Sequence, residues 1–399
     1  MFDIWASVAE LRQPCLYRRM DDRLIGFDGL VRREVLAGLD RMFCEHLAVG
    51  RAAFQAPPSP PPMQADYRFL NVSALQKSIR RGDAEGAMRF AQQGCTVDAE
   101  HIFRRLAVCA VEDVGLGNLL AVGMALAAMG SRSMRHNGAP DELAAYLAYI
   151  LAISPKSRLA CDLLSVVDYN RGLNGLKKQL AASPVGELRK RAEDRSCPYA
   201  ERMAAAWMVA GTARFRGTTM PAVSRPRTEI MSEMAGSRMP LVLYYVADRA
   251  AARLSDAMFV STLLVWEMLA SEPEIVAEQT ELPDTAVIAG FPAAAFDLHT
   301  YEGRAALSRF GRECLPLAKM LRSITPTLRD TAVRHGVFIA EGGRLGERLR
   351  FFEADDIEQQ AHKHELSFAG LLEPARQLEF IDVILANLPV LNSMRRLIR

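Results

Sequence analysis

Helix-starting and helix-ending residues recur throughout this 399-residue chain, and they constrain its fold more than any other feature. Asp98 and Asn118 stand just before apolar runs of helical spacing. Their side-chain oxygens can accept hydrogen bonds from the free N–H groups of a first helical turn. Pro140 stands where a first-turn proline is tolerated, and Ser154-Pro155 ends one helical pattern and begins the next. Further amphipathic stretches are predicted at 156–168, 199–210, 240–271, 302–324 and 375–397.

Strand patterns are rare by comparison. Residues 285–290 and 336–340 have strand-like composition, but both segments are too short and too isolated to found a sheet. The sequence therefore predicts an all-α fold, built as a multi-helix bundle or collar-like array.

A proline-rich segment at 56–63, A-P-P-S-P-P-P-M, is the clearest domain boundary, because it can continue neither a helix nor a sheet ladder. Residues 1–55 are predicted to form a short N-terminal helical arm, and residues 56–65 a linker. Gly, Thr, Ser and Pro interrupt the helical patterns again at 211–227, which predicts a flexible basic loop. The remaining segments, 66–210 and 228–399, are predicted to be a collar-like helical domain and a C-terminal helical domain.

The composition is that of an ordinary folded protein. The formal net charge of +2 gives no indication of a polyanionic partner or of a membrane partner. Seven cysteines are scattered singly, which favours reduced thiols over a disulfide framework or a structural zinc site. The N-terminal residues do not resemble a secretory signal, and the apolar stretches are shorter than the ~20 residues of a membrane span. We expect a cytoplasmic protein without a membrane partner.

Three short motifs follow one another between residues 67 and 164: S-A-L-Q-K-S-I-R-R-G-D at 73–83, E-D-V-G at 112–115 and S-P-K-S at 154–157. In this order they resemble the C-terminal helical module of RarA/MgsA-type AAA+ ATPases, which are related to clamp loaders. Gln76 replaces the family's usual His, and Gly82 is shifted by one position. The sequence contains no G-x-x-x-x-G-K-[ST] motif, so the phosphate-binding loop of the ATPase is missing.

The resemblance implies common ancestry with these ATPases and a scaffold role rather than a catalytic one. It implies a homo-oligomer, with a tetramer as its expected form, and a role near DNA replication, recombination or repair. A separate ATPase or replication protein acting in trans would be a further partner. No cofactor is predicted.

Several basic residues are candidate contacts to a nucleic-acid backbone. Lys77, Arg80 and Arg81 share one side of a helix, whereas Lys156 and Arg158 lie near a helix N-terminus, where N–H groups favour anions. The other candidates are Arg104, Arg105, Arg214, Phe215, Arg216, Arg225, Arg227, Arg344 and Arg348. Each group has a structural alternative: a solvated helix face, a proline-started helix, an ordinary surface loop, or a basic segment neutralised by the acidic residues that follow Arg350.

The segment F-D-L-H-T-Y-E-G-R at 296–304 is the most enzyme-like part of the second half. Asp297, His299 and Glu302 are weak candidates for metal ligands, and Asp297 could orient His299 as a base. Capping of the following helix by Thr300 or Asp297 explains the same residues structurally. Glu112 and Asp113 are adjacent and point apart on a helix, so we interpret them as bracing the following glycine turn. No residue is predicted to be catalytic.

Three functions remain open at this point. The first is a non-catalytic DNA-associated scaffold that oligomerises through its collar-like domain and contacts the nucleic-acid backbone through arginines. The alternative is a protein–protein interaction module without DNA contact. The third is a metal-dependent hydrolase or nuclease that uses Asp297, His299 and Glu302.

Overall fold

A computed structural model describes residues 33–61, 64–136, 139–211, 223, 227, 230, 234, 240–254, 258–271 and 274–398. In these ranges the chain is predominantly helical, which confirms the all-α prediction. The first ten α-helices are α1 Arg33–Ala53, α2 Arg68–Arg81, α3 Ala84–Cys109, α4 Leu119–Gly130, α5 Arg132–His136, α6 Pro140–Ile153, α7 Leu159–Tyr169, α8 Asn174–Ala182, α9 Val185–Glu193 and α10 Tyr199–Ala210. The others are α11 Leu241–Leu254, α12 Met258–Ser271, α13 Tyr301–Glu313, α14 Leu315–Leu321, α15 Arg329–Val337, α16 Phe352–Phe368, α17 Pro374–Ala386 and α18 Leu388–Leu397.

The predicted helix caps are confirmed. The Asp98 side chain accepts a hydrogen bond from the backbone N–H of His101 at 3.0 Å, and Asn118 accepts one from Ala121 at 3.0 Å. Asp98 has extended backbone angles inside α3, so this helix is kinked there and its second half begins with its own cap. Thr300 caps α13 in the same way, by accepting from Gly303.

The strands are short. Strand β1 (Val276–Gln279) pairs antiparallel with β4 (Glu347–Arg350), and β2 (Val287–Ile288) pairs with β3 (Phe291–Pro292). The strand-like composition of 285–290 thus corresponds in part to a strand, β2, whereas no strand forms at 336–340. The latter residues end α15 and form a π-helical turn at Phe338–Gly342, because Gly336 lies where the rings and methyl groups of α17 approach the backbone closely.

Buried apolar side chains form two clusters. The first includes the apolar face of α1, where Phe43 packs on the Tyr245 ring at 4.8 Å, and continues through α12 to Phe296. The second is built from residues of 306–340 and 366–394. The predicted loop at 211–227 lies mostly outside the described residues. The first cluster extends on both sides of it and also includes Leu349, Phe351, Ala354 and Ile357, so the two clusters do not divide the chain at one point.

None of the described helices is both long enough and apolar enough to cross a membrane.

Candidate nucleic-acid interface

The second and third motifs of the sequence pack directly against each other. Gly115 has a positive φ of 50°, and a Cβ atom there would lie 2.7 Å from the carbonyl oxygen of Ser157. At Gly117, a Cβ atom would lie 2.0 Å from the carbonyl oxygen of Pro155. The backbone N–H of Ser157 donates to the carbonyl of Asp113 at 2.9 Å. These glycines therefore allow two backbone segments to meet without intervening side chains.

Replacing Gly117 by Ala is expected to destabilise the fold by about 1–3 kcal/mol, because the Pro155 carbonyl must move to admit the methyl group. Urea unfolding followed by circular dichroism measures the change. Gly175→Ala is the control, since nothing lies within 4 Å of a Cβ atom there and the residue is helical. Equal stability of the two variants would contradict the close approach.

The first motif joins this contact through a buried charge network. The Arg80 Nε atom and the Arg158 Nη1 atom both donate to Asp113 Oδ1, at 2.7 and 2.8 Å. Gln76 Nε2 donates to the other oxygen of Asp113 at 3.2 Å. Burial alone would raise the pKa of Asp113, but the two guanidinium groups lower it below its usual value. Asp113 is thus the shared anion of the three motifs.

The remaining cations of these motifs also have internal partners. Lys77 is buried and forms an ion pair with Asp297, and the ring of Phe338 lies close to Lys77, Arg80 and Arg158. Lys156 Nζ donates to the carbonyl oxygen of Ala152 at 2.8 Å. Burial lowers the pKa of Lys156 to about 8, although Asp113 and Glu347 oppose this shift.

These contacts change the interpretation of the first candidate residues. We expected Lys77, Arg80, Lys156 and Arg158 to face phosphate, but the structure turns them inward, and a phosphate would have to displace an internal partner. We expected Glu112 and Asp113 to brace a turn, but the Asp113 carboxylate forms buried ion pairs with Arg80 and Arg158. The expectation was incomplete because the partners lie far away in the sequence.

Four of the six other candidate arginines within the described residues contact the protein itself. Arg81 donates to the carbonyl of Pro283, and Arg344 to that of Glu281 at 3.2 Å. Arg348 forms ion pairs with Glu358 and Asp355 of α16, so the acidic segment that follows does neutralise it. Arg227 is half-buried, and its backbone N–H donates to the carbonyl oxygen of Ala210 at 2.9 Å. Arg214, Phe215, Arg216 and Arg225 lie outside the described residues.

The weak metal-ligand candidates Asp297, His299 and Glu302 do not come together as a site. Asp297 is occupied by Lys77 and by the backbone N–H of His299, which donates at 2.8 Å. Across the part of the chain that the structure describes, no group of three or more His, Cys, Asp or Glu side chains is arranged to hold a metal ion.

An exposed basic surface lies at the start of α2 and on the second half of α3. Phe69 is 54% exposed, and the Arg68 guanidinium lies 4.5 Å from the centre of its ring. The His101 ring meets the same phenyl ring edge-on at 6.4 Å. Arg104 and Arg105 follow one helical turn beyond His101. We call these five residues, Arg68, Phe69, His101, Arg104 and Arg105, the Phe69 patch.

The three arginines of the Phe69 patch form no ion pair within the described part of the chain. Among the described residues, no carboxylate lies within ion-pairing distance of Arg68, Arg104 or Arg105. Desolvation lowers the pKa of His101, and Arg105, Arg68 and Arg104 add to this effect, although Asp98 opposes it. The pKa shift has this electrostatic component because the three arginines surround the imidazole. A positive, aromatic surface of this kind suits phosphate and a planar ring together.

A cavity of about 390 Å³ opens beside the patch and reaches the buried network. Phe69, His101 and Arg105 line its outer part, while Arg80 and Arg158 line its inner part. The opposite wall comes from the second half of the chain and includes His299, His335 and Phe338. The cavity therefore lies where the two apolar clusters face each other.

Sequence reasoning found only part of this site. Arg104 and Arg105 were candidates, but Arg68 and Phe69 were not, although they stand just before the first motif. The signal available in the sequence was the Arg-Phe pair at 68–69, since an arginine beside an aromatic residue is typical of a nucleic-acid contact. That this pair meets His101 depends on how α2 packs against α3.

The chain matches no protein-family model, no curated protein and no solved structure with significance.

Proposed function

We propose that this protein binds DNA as a non-catalytic scaffold and that the Phe69 patch makes the contact. The observation that carries the proposal is an exposed phenyl ring against Arg68, in a patch whose three arginines form no ion pair with a described carboxylate. Arginine forks bind phosphate oxygens, and an exposed ring stacks on a base. The resemblance to the RarA-type helical module adds a setting in replication, recombination or repair, and a homo-oligomer would multiply weak contacts.

Single-stranded DNA is the favoured form of the ligand. Phe69 can stack only on a base whose face is free, and bases in a continuous duplex are covered by their neighbours. Phosphate contacts carry no sequence information, so binding should be tolerant of sequence and sensitive to salt.

Replacing Arg68, Arg104 and Arg105 together by Ala is expected to weaken the binding of single-stranded DNA and to reduce its salt dependence. Each lost phosphate contact changes the slope of log affinity against log salt by about 0.7, so three contacts change it by about 2. Fluorescence anisotropy with a labelled oligothymidylate, about 20 nucleotides long to span a typical site, measures both quantities. The control is Arg312→Ala with Lys319→Ala and Arg322→Ala, which removes three exposed charges on and after α13 and α14.

Replacing Phe69 by Ala should have a different signature. Stacking on one base contributes about 1–3 kcal/mol, so affinity should fall by at least about 5-fold while the salt slope stays unchanged. If the wild-type protein retains no DNA even at low salt, or if the control variant loses as much affinity as the patch variant, the proposal fails.

A second candidate function rests on a different surface. A groove beside α16 and α17 contains apolar side chains that are largely exposed, including Leu378 at 69%. Ile381 and Leu385 continue the same face of α17. Such a groove suits an amphipathic helix of another protein, as in the interaction-module alternative. Absence of DNA binding at every ionic strength would favour it.

A further inference from the structure

We propose that the cavity beside the Phe69 patch accepts one unpaired nucleobase of the bound strand. The inference rests on the proposed function, because the patch is what would bring the strand to the cavity mouth. It adds that the protein encloses a base, whereas the patch alone requires only backbone contact and surface stacking.

The size and shape of the cavity suit a single base. Its volume of about 390 Å³ lies at the lower end of the range of about 300–1,000 Å³ for small-molecule sites. Phe69 stands at the mouth, and the rings of Tyr169 and Phe338 line the wall. Aromatic rings in the wall of a cavity can stack on the flat face of an unpaired base.

An unused hydrogen-bonding group lies in the wall of the cavity, just beneath its surface. Ser73 lines it and is 5% exposed, yet its Oγ atom has no hydrogen-bond partner among the described residues. A buried hydroxyl without a partner is unfavourable, and a ligand that hydrogen-bonds to it removes that cost. The first motif thus contributes a hydroxyl group that the fold itself does not use.

The polar groups around Ser73 favour a base over a phosphate. Gln76 and Glu112 line the same part of the cavity and offer an amide and a carboxyl group, which suit the polar edge of a base. The two inner arginines already share Asp113, and the Glu365 carboxylate would repel a phosphate. Desolvation raises the pKa of Glu112, and the nearby Asp113 adds to this, so Glu112 can also donate a hydrogen bond more readily than an exposed acid.

An oligonucleotide with bases and an abasic one of equal length separate base contacts from backbone contacts. The wild-type protein is expected to bind the intact strand at least about 10-fold more tightly than the abasic strand, because stacking and hydrogen bonding are both lost. Ser73→Ala should lower the affinity for the intact strand by about 5-fold and leave that for the abasic strand unchanged. Ser73→Leu, which fills the cavity, should have a larger effect in the same direction.

A measurement on the wild-type protein covers the case in which Ser73→Leu does not fold. A strand that contains 2-aminopurine is expected to be shielded from acrylamide quenching in the complex, because an enclosed base is inaccessible to the quencher. Unshielded 2-aminopurine at every position, or an intact-strand preference that both Ser73 variants leave unchanged, overturns the inference, since the bases then stack only on the surface. Equal affinity for intact and abasic strands overturns it together with the stacking of Phe69 on a base, but leaves the phosphate contacts of the proposed function standing, whereas absence of binding to either strand overturns both proposals.

Discussion

Replacing Asp113 by Ala is expected to lower the free energy of unfolding by about 3–5 kcal/mol, the usual cost of removing one partner from a buried ion pair. Asp113 is fully buried and is the only carboxylate that pairs with Arg80 and Arg158 among the described residues. Without it, two guanidinium groups remain in the interior close to each other, and Gln76 loses an acceptor. Urea denaturation followed by circular dichroism measures the loss.

The adjacent acid provides the control. Glu112→Gln keeps the shape of the side chain, and Glu112 is not an ion-pair partner of either arginine. Its unfolding free energy should stay within about 0.5 kcal/mol of the wild-type value. If Asp113→Ala is no more destabilised than Glu112→Gln, the network does not hold the three motifs together.

Replacing Arg395 by Ala is expected to have an effect of similar size, about 3–5 kcal/mol, at the other end of the molecule. Arg395 lies on α18 and is completely buried, with Nη2 at 2.7 Å from Glu341 Oε2 and Nη1 at 3.2 Å from Oε1. It also donates to the carbonyl oxygen of Phe296 at 3.1 Å. The substitution leaves the Glu341 carboxylate buried without its counter-ion and removes the hydrogen bond between α18 and Phe296 of the first cluster.

Arg396→Ala is the matched control, because this neighbour is exposed and carries the same charge. We expect it to change the unfolding free energy by less than about 0.5 kcal/mol. A sequence-based view would treat Arg395 and Arg396 alike, as two exposed basic residues near the C-terminus. Similar stabilities for the two variants would support that view and contradict the buried pair.

The helices were predictable because their signals are local. Asp98, Asn118, Pro140 and Thr300 act within one helical turn of where they stand, so a reader of the sequence sees both the cap and the helix that it caps. The pairing of β1 with β4 was not predictable in this way. Val276 pairs with Arg350, and nothing near either residue identifies the other.

The candidate site shows the same limit more strongly. The spacing of Lys77, Arg80 and Arg81 correctly puts three cations on one helix, but it cannot say whether that side faces water or Asp297. Arg104 and Arg105 have no more distinctive pattern, yet in the fold Arg104 is exposed and Arg105 is partly exposed. Which basic residues stay free is decided by where the carboxylates of distant segments lie, and this is a property of the tertiary structure.

The partnership of Lys77 with Asp297 also sets an order of events during synthesis. The two residues are 220 positions apart, and Arg80 reaches the carbonyl of Gly342 across 262 positions. At about 5–20 residues per second, a ribosome needs roughly 10–45 s to make the first of these partners after the helix that carries Lys77 has emerged. During that interval Lys77 has been synthesised, but Asp297, with which it forms its buried ion pair, has not. The motif-bearing region therefore gains all of its internal partners only after the second half of the chain has packed against it.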